Sequence, residues 1–323
     1  MKILRPASAE TFERAPEEIE RGSFAHAGAV TPTERSSLVI ASFNIRYAVG
    51  SFLISGSLFR RAGLSLPRRR PALVQRHLRR AALAFKAGAL LPPVDILALQ
   101  EADACTRRAG GRHVARELAR LLEMHYAHAA SHHPRDEEPK SKQWYLDFEE
   151  HIARDETGET GIALLSRVPL LEISRVELPW SECLWRPRLA MTASVKIGPA
   201  TVHVFNAHID PHAGLPEQLA QHRAILARAD EVGGPTVLLG DFNTLTRRSV
   251  EGMRALLESN GFRTPFRTGT ATWRAGAIRL HTDWIFVRGL RVKEFGVARP
   301  LGVSDHWPVW AEVSLETGED SAT

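Results

Sequence analysis

The feature that most constrains the fold is a series of short apolar runs that each stop at a residue able to bind metal or phosphate. Val237-Leu238-Leu239-Gly240-Asp241-Phe242-Asn243 is the plainest case. Its apolar run reads as a buried strand, and Gly240 marks where that strand ends and the backbone turns. Side chains alternate along extended backbone, so Asp241 and Asn243 leave on one side and Phe242 on the other. A carboxylate beside a neutral amide at that point is placed to activate water next to a phosphate. The pattern recurs: Leu38–Ile45 carries Asn44, Val94–Glu101 stops on Glu101, and Thr201–His208 stops on His208. Asp283 opens the run Asp283-Trp284-Ile285-Phe286, and Asp305 and His306 precede a last apolar segment. Strand ends along one sheet edge converge in space, so these positions are expected to share a site.

Helical spacing lies between the strands. Val74, Leu78, Ala81 and Phe85 recur on one face from about Pro71, with Arg76, Arg79 and Arg80 turned away. Further helices are expected near 112–124, 215–230 and 249–259. Further strands are expected near Tyr126, at 161–165, 170–178 and 189–197, near Val292 and from Trp307 to Leu315. Residues 131–160, charged and rich in His and Glu, read as a long surface loop. No repeat or low-complexity linker divides the chain. It reads as one α/β domain over residues 36–316, between a polar arm (1–35) and a polar tail (317–323).

Charge is uneven. The net charge is +5, yet nine Lys or Arg and no acid lie between Tyr47 and Val94, which leaves −4 for the remainder. The basic insertion, about residues 48–93, could lie along a nucleic-acid backbone, with Arg68, Arg69 and Arg70 as substrate-binding residues. It could also rest on an anionic membrane, since Phe52, Leu53, Ile54, Leu58 and Phe59 adjoin Arg60 and Arg61, or be a solvated basic helix. Cys105 and Cys183 form neither a disulfide framework nor a metal-binding spacing. The N-terminus lacks a long apolar segment and no window is long enough to span a bilayer, so a cytoplasmic setting without an obligate protein partner is expected.

The ordered series Ser42-Phe43-Asn44-Ile45-Arg46, Leu99-Gln100-Glu101, Asn206-Ala207-His208, Gly240-Asp241-Phe242-Asn243, Thr282-Asp283-Trp284-Ile285 and Ser304-Asp305-His306-Trp307-Pro308-Val309 resembles the endonuclease/exonuclease/phosphatase superfamily. That group includes DNase I-like nucleases, abasic-site endonucleases, bacterial sphingomyelinases, inositol polyphosphate phosphatases and deadenylases. The resemblance covers essentially the whole domain. It implies a four-layer α/β sandwich: two packed sheets flanked by helices, with the site at one edge.

It also implies roles. Glu101 would hold a divalent ion, Mg²⁺ or Mn²⁺, with Asn44 beside it, and Asp305 would be a further ligand or help place the leaving group. Asp241 would deprotonate the attacking water and Asn243 would hold that water or a phosphate oxygen. His208 would bond a non-bridging oxygen, and His306, paired with Asp283, would contact the scissile phosphate. A phosphodiester repels hydroxide, so a cation and an imidazolium must offset its charge while a base supplies the nucleophile. Three departures stand out. Ile162 replaces an amide common in the family, Trp284 replaces a Tyr, and the insertion between Asn44 and Glu101 is longer than usual.

The reading that follows is a Mg²⁺-dependent phosphodiester hydrolase acting on nucleic acid. Alternatives are a sphingomyelinase-like phospholipid phosphodiesterase, an inositol-phosphate-type phosphatase and a catalytically silent binding module. A zinc hydrolase built on His208 and His212 is disfavoured, because Pro211 breaks any helix that would align them and no Cys completes a set.

Overall fold

Period-2 alternation sorts the strand residues between two apolar layers. The computed structural model describes residues 19–26, 36–50, 69–88, 90–131, 152, 155–180, 188–299 and 301–316. The first half of the chain forms β1 (Glu20–Ser23), β2 (Ser37–Asn44), α1 (Arg70–Ala87), β3 (Ile96–Gln100), α2 (Val114–Leu122), β4 (His125–Ala130) and β5 (Gly161–Ser166). The second forms β6 (Leu171–Glu177), β7 (Leu189–Ile197), β8 (Ala200–His208), α3 (Leu215–Val232), β9 (Thr236–Asp241) and α4 (Arg247–Ser259). It closes with β10 (Trp273–Ala275), β11 (Ile278–Leu280), β12 (Asp283–Arg288), β13 (Leu290–Val297) and β14 (Val309–Leu315).

Twelve of these strands make two mixed sheets, one of seven in the order β1-β4-β5-β3-β2-β14-β13 and one of five in the order β12-β9-β8-β7-β6. Ile40, Ile96, Ala98, Ile162 and Leu164 point from the first sheet toward the second. Their neighbours Ala41, Phe43, Leu97, Leu99, Ala163 and Leu165 point the other way, onto α1 and α2. The expected apolar stripe of α1 (Val74, Leu78, Ala81, Phe85) is fully buried there, and Arg76, Arg79 and Arg80 stay outside. Helices α3 and α4 cover the outer face of the five-stranded sheet through Ile225, Ala229, Met253 and Leu257. The architecture is the four-layer α/β sandwich. Each buried Leu or Ile contributes about 1.5–3 kcal/mol, so these interfaces dominate the stability.

Each sheet contains one parallel pair, β2–β3 and β8–β9, and each pair is joined by a helical crossover, α1 or α3. Parallel neighbours bring their C-terminal ends to the same edge. Two such pairs, packed face to face, put four strand ends at one rim.

Three differences from the sequence reading are found. Residues 20–23 belong to the sheet, not to a loose arm: β1 pairs antiparallel with β4. Glu20, carried by β1, accepts from Arg116 and from the Tyr126 hydroxyl at 2.8 Å. The strand near Val292 runs eight residues along the sheet edge. A small hairpin, β10–β11, was not anticipated. Residues 51–68, with Arg60, Arg61 and Arg68, the 132–150 part of the expected loop and the 317–323 tail lie outside the described residues. Among the described residues, no helix is long and apolar enough to cross a membrane.

Candidate active site

Three adjacent strands set the acids and imidazoles side by side. β9 pairs in parallel with β8, placing His208 opposite Asp241, and antiparallel with β12, placing Asp283 opposite Asp241. Gly240 allows this. Its φ is 150°, and a Cβ there would lie 1.9 Å from the Ala207 carbonyl oxygen, so no side chain fits just before Asp241. On the other sheet Asn44 ends β2, and Glu101 follows β3 directly.

A polar bridge between the sheets supports the rim. Gln100 Nε2 donates to Asn206 Oδ1 at 2.7 Å and to Ser42 Oγ at 3.1 Å. Asn206 Nδ2 in turn donates to the Leu99 and Ala163 carbonyls, both at 2.9 Å. All three side chains are buried. Fully bonded polar groups of this kind fix one relative placement of two sheets that apolar packing alone leaves free to slide.

The centre of the rim is one oxygen, Asp241 Oδ2. Asn44 Nδ2 donates to it at 2.9 Å, and His208 Nε2 and His306 Nε2 each lie 3.7 Å away. Asp241 Oδ1 accepts the Asn243 N–H at 3.0 Å. Burial pushes the Asp241 carboxyl up, the His306 charge pulls it down and the Asp283 charge raises it again, with the result near 7. A general base poised near neutrality is what water activation asks for.

His306 is the counterpart. Burial disfavours its charged form, but Asp283, with Oδ2 2.9 Å from Nδ1, and then Asp241 outweigh burial and push the imidazole up to about 10. Asp283 is itself steadied by the Thr282 hydroxyl at 2.8 Å, and its N–H donates to Thr272 Oγ1 at 3.0 Å. Ligating atoms of Asp241, Asp283 and His306 lie within 4.8 Å of one another. With its proton retained, His306 is a hydrogen-bond donor in this trio.

Glu101, Asn44 and Asp305 form the second half of the site. Asn44 Nδ2 reaches Glu101 Oε1 at 3.4 Å as well as Asp241, so one amide holds both carboxylates, and its Oδ1 accepts the Arg46 N–H at 3.1 Å. Asp305 Oδ2 accepts from Trp273 Nε1 at 3.0 Å and lies 3.6 Å from Arg46 Nη1. The backbone here is strained. Arg46, Tyr47, Ala48, Glu101 and Asn243 all have φ between 42° and 59°, a region that costs a non-Gly residue roughly 1–2 kcal/mol. The 46–48 turn is held by the Tyr47 N–H on the Glu101 carbonyl (2.9 Å) and by His77 against the Ala48 carbonyl (2.9 Å). Arg108, paired twice with Asp103, also lies 4.2 Å over the Tyr47 ring. Left-handed residues clustered at one rim, each over-determined by its surroundings, are a mark of a functional site.

Of the expected residues, the structure therefore brings together Asn44, Glu101, His208, Asp241, Asn243, Asp283, Asp305 and His306. Asn243 commits one amide proton to the Ile209 carbonyl at 2.8 Å. Among the expected basic contacts, Arg69 is exposed at the start of α1, Arg70 donates to the Arg108 carbonyl at 3.1 Å, and Arg68 is outside the described residues. Arg70 thus ties α1 to the loop after Glu101. Sequence reasoning missed Arg188, buried just before β7, whose Nη1 is 3.1 Å and 3.3 Å from the two ring nitrogens of His208. Nothing in the sequence distinguishes this arginine in type from the others of the chain. It also left Trp273 and Arg46 without roles.

The chain matches the model of the Endonuclease/Exonuclease/phosphatase family over residues 41–306. It belongs to that family. A UPF0294 protein of Yersinia pseudotuberculosis is 29% identical over 155 residues, which are 46% of this chain and 52% of that protein. The chain thus spans about half the length of the curated relatives it matches. The endonuclease/exonuclease/phosphatase from Beutenbergia cavernae superposes with a TM-score of 0.60 at 18% identity, over 87% of this chain and 72% of the other. ANGEL2, a 2′,3′-cyclic phosphatase in complex with adenosine-2′,3′-vanadate, gives 0.57 at 16% identity over 94% and 100%. At these identities the superpositions establish the fold.

The endonuclease/exonuclease/phosphatase family is one of phosphoester hydrolases that generally depend on a divalent metal. The residues present fit that requirement. Glu101 and Asp305 are carboxylates, Asn44 stands between Glu101 and Asp241, and among the described residues no Cys joins them, a hard-oxygen set suited to a small divalent cation.

Proposed function

We propose that this protein is a Mg²⁺-dependent phosphodiester hydrolase acting on nucleic acid, with Mn²⁺ able to replace Mg²⁺. The observation that carries the reading is the convergence of Asn44, His208 and His306 on Asp241 Oδ2, with His306 held by Asp283.

In this reading Asp241 takes a proton from water as its oxygen attacks phosphorus in line, and the bond to the leaving oxygen breaks on the opposite side. Asn243, fixed by its bond to Ile209, orients that water. The His306 imidazolium donates to a non-bridging oxygen as charge builds there, and Asp283 keeps its other nitrogen protonated and aimed. His208 contacts a second non-bridging oxygen. Asn44 keeps the Glu101 and Asp241 carboxylates apart and oriented. A divalent cation held by Glu101 and Asp305 would supply Lewis-acid charge to the phosphate.

The test is one Mg²⁺ assay on supercoiled plasmid, single-stranded RNA, an abasic duplex and sphingomyelin vesicles, with EDTA and Asp241→Ala as controls. Cleavage of a nucleic acid, abolished by both controls, is expected. Lipid cleavage alone, or nucleic-acid cleavage that survives Asp241→Ala, would overturn the proposal.

A further inference from the structure

From Ser259 to Thr282 the chain carries four arginines and no acid. Two of them meet on the β10–β11 hairpin: Arg274 lies directly opposite Arg279 in the strand register. Both are exposed, and neither has a carboxylate partner among the described residues. The arrangement is unfavourable for the hairpin itself. Like charges directly opposite each other weaken strand pairing, and a two-stranded ribbon of three residues per strand has little stability to lose. Arginines on the neighbouring elements are placed differently: Arg247, Arg254 and Arg288 each contact an acid, Glu251, Glu258 and Asp230.

A third guanidinium joins the pair. Arg299 is exposed, sits 4.7 Å over the Trp307 ring and donates to the Ala271 carbonyl, so its planar group is held in place. Ala271 lies two residues before Trp273, so this bond anchors Arg299 at the base of the hairpin.

The hairpin is also tied to the catalytic rim. Trp273 Nε1 donates to Asp305 Oδ2 at 3.0 Å, the Arg274 N–H donates to the Asp305 carbonyl at 3.0 Å, and Trp273 forms a β-bridge with His306. An anion bound by these arginines therefore adjoins the phosphate position at His306.

We propose that the β10–β11 hairpin and Arg299 form a binding surface for the backbone of a nucleic-acid strand, holding phosphates that flank the one being cleaved. This rests on the hydrolase reading above and moves the main anion contact from the α1 side to the hairpin. Planar arginines recognise phosphate oxygens in pairs, and three of them outside the buried cluster suit a repeating anion, not a lone phosphate. Ile278 is the one large aliphatic side chain exposed on the hairpin, far short of the apolar face that lipid insertion needs.

The test uses the full chain in Mg²⁺ with three probes: a labelled single-stranded oligonucleotide, a small chromogenic phosphodiester, and phosphatidylserine vesicles. Arg274→Glu places opposite charges across the hairpin, so its Tm should hold or rise, which separates loss of binding from loss of fold. Expected for Arg274→Glu and for Arg279→Glu is a KM for the oligonucleotide raised at least about tenfold relative to that for the small diester. The salt dependence of oligonucleotide binding should fall by about one counterion per contact removed. An unchanged salt slope, equal losses on both substrates, or a defect confined to vesicle binding would overturn the proposal. Charge-dependent oligonucleotide binding without any cleavage would support the surface and refute the hydrolase reading, so the two failures are distinguishable.

Discussion

His306 and Asp283 are 23 residues apart in sequence, yet His306 Nδ1 lies 2.9 Å from Asp283 Oδ2 in a buried cluster, with Asp241 on the far side of the ring. An imidazole flanked by two carboxylates keeps its proton well into alkaline pH, here to about 10. Activity that needs the imidazolium is present below that value and lost as pH rises through it. Asp283→Asn removes the nearer charge and leaves the shape. The alkaline limb of the kcat profile should then move down toward neutrality, and kcat at neutral pH should fall by about 10²–10⁴-fold. An alkaline limb that stays put would remove His306 from the reaction.

Asp241 should show opposite effects on activity and stability. Its folded pKa, near 7, is raised above the unfolded value of about 3.8. The folded state therefore binds more protons across that interval, and ionising Asp241 destabilises it progressively as pH rises from about 4 to 7. Asp241→Asn abolishes the base, so turnover should fall by orders of magnitude. It also removes an ionisation that opposes folding, so Tm at neutral pH should stay level or rise. Lower Tm together with lost activity would mean that Asp241 is structural.

Much of this was legible in the sequence because it is local. The stripe Val74-Leu78-Ala81-Phe85 predicts its own burial, whereas Gly240, read as the end of its strand, lies inside β9 between Ala207 and Trp284, where no Cβ fits. What was not legible depends on partners distant in the chain. β1 has no alternation and is held by pairing with β4 and by Glu20 on Arg116 and Tyr126. β10 and β11 have three residues each; β10 is fixed by bonds to Asp305 and β11 by pairing with β10. Asn44 was expected beside a metal and a phosphate; that its amide also spans two carboxylates follows only from the meeting of two sheets.

His222 sets an acid limit on stability. It is buried on α3 with its ring edge-on to Phe242, centroids 4.9 Å apart, and burial pushes its pKa down to about 3. Burial likewise lowers His281 to about 4. Below about pH 6.5 the unfolded chain takes up protons that these folded imidazoles refuse, so each removes about 1.4 kcal/mol of stability per pH unit until its folded pKa is reached. His222→Phe should make denaturation midpoints fall less steeply between about pH 6 and 4. The same slope in the variant would show that His222 titrates normally.

Arg188 tests whether the buried cation at His208 acts through charge or through shape. Its Nη1 is nearly equidistant from both imidazole nitrogens, at 3.1 and 3.3 Å. In the ring plane that position would collide with the carbon between them, so Nη1 lies off that plane, where a planar guanidinium presents several fixed N–H groups and an ammonium a single point charge. A cation in that place fixes the ring whose Nε2 faces Asp241, 3.7 Å away. Arg188→Lys keeps the charge and loses the planar fork; Arg188→Ala loses both. If orientation dominates, Lys should be nearly as damaging as Ala, each lowering kcat by about 10²-fold, comparable to losing one transition-state donor. If charge dominates, Lys should retain most of the activity and Ala little, and the wild-type rate in both variants would exclude Arg188 from the chemistry altogether.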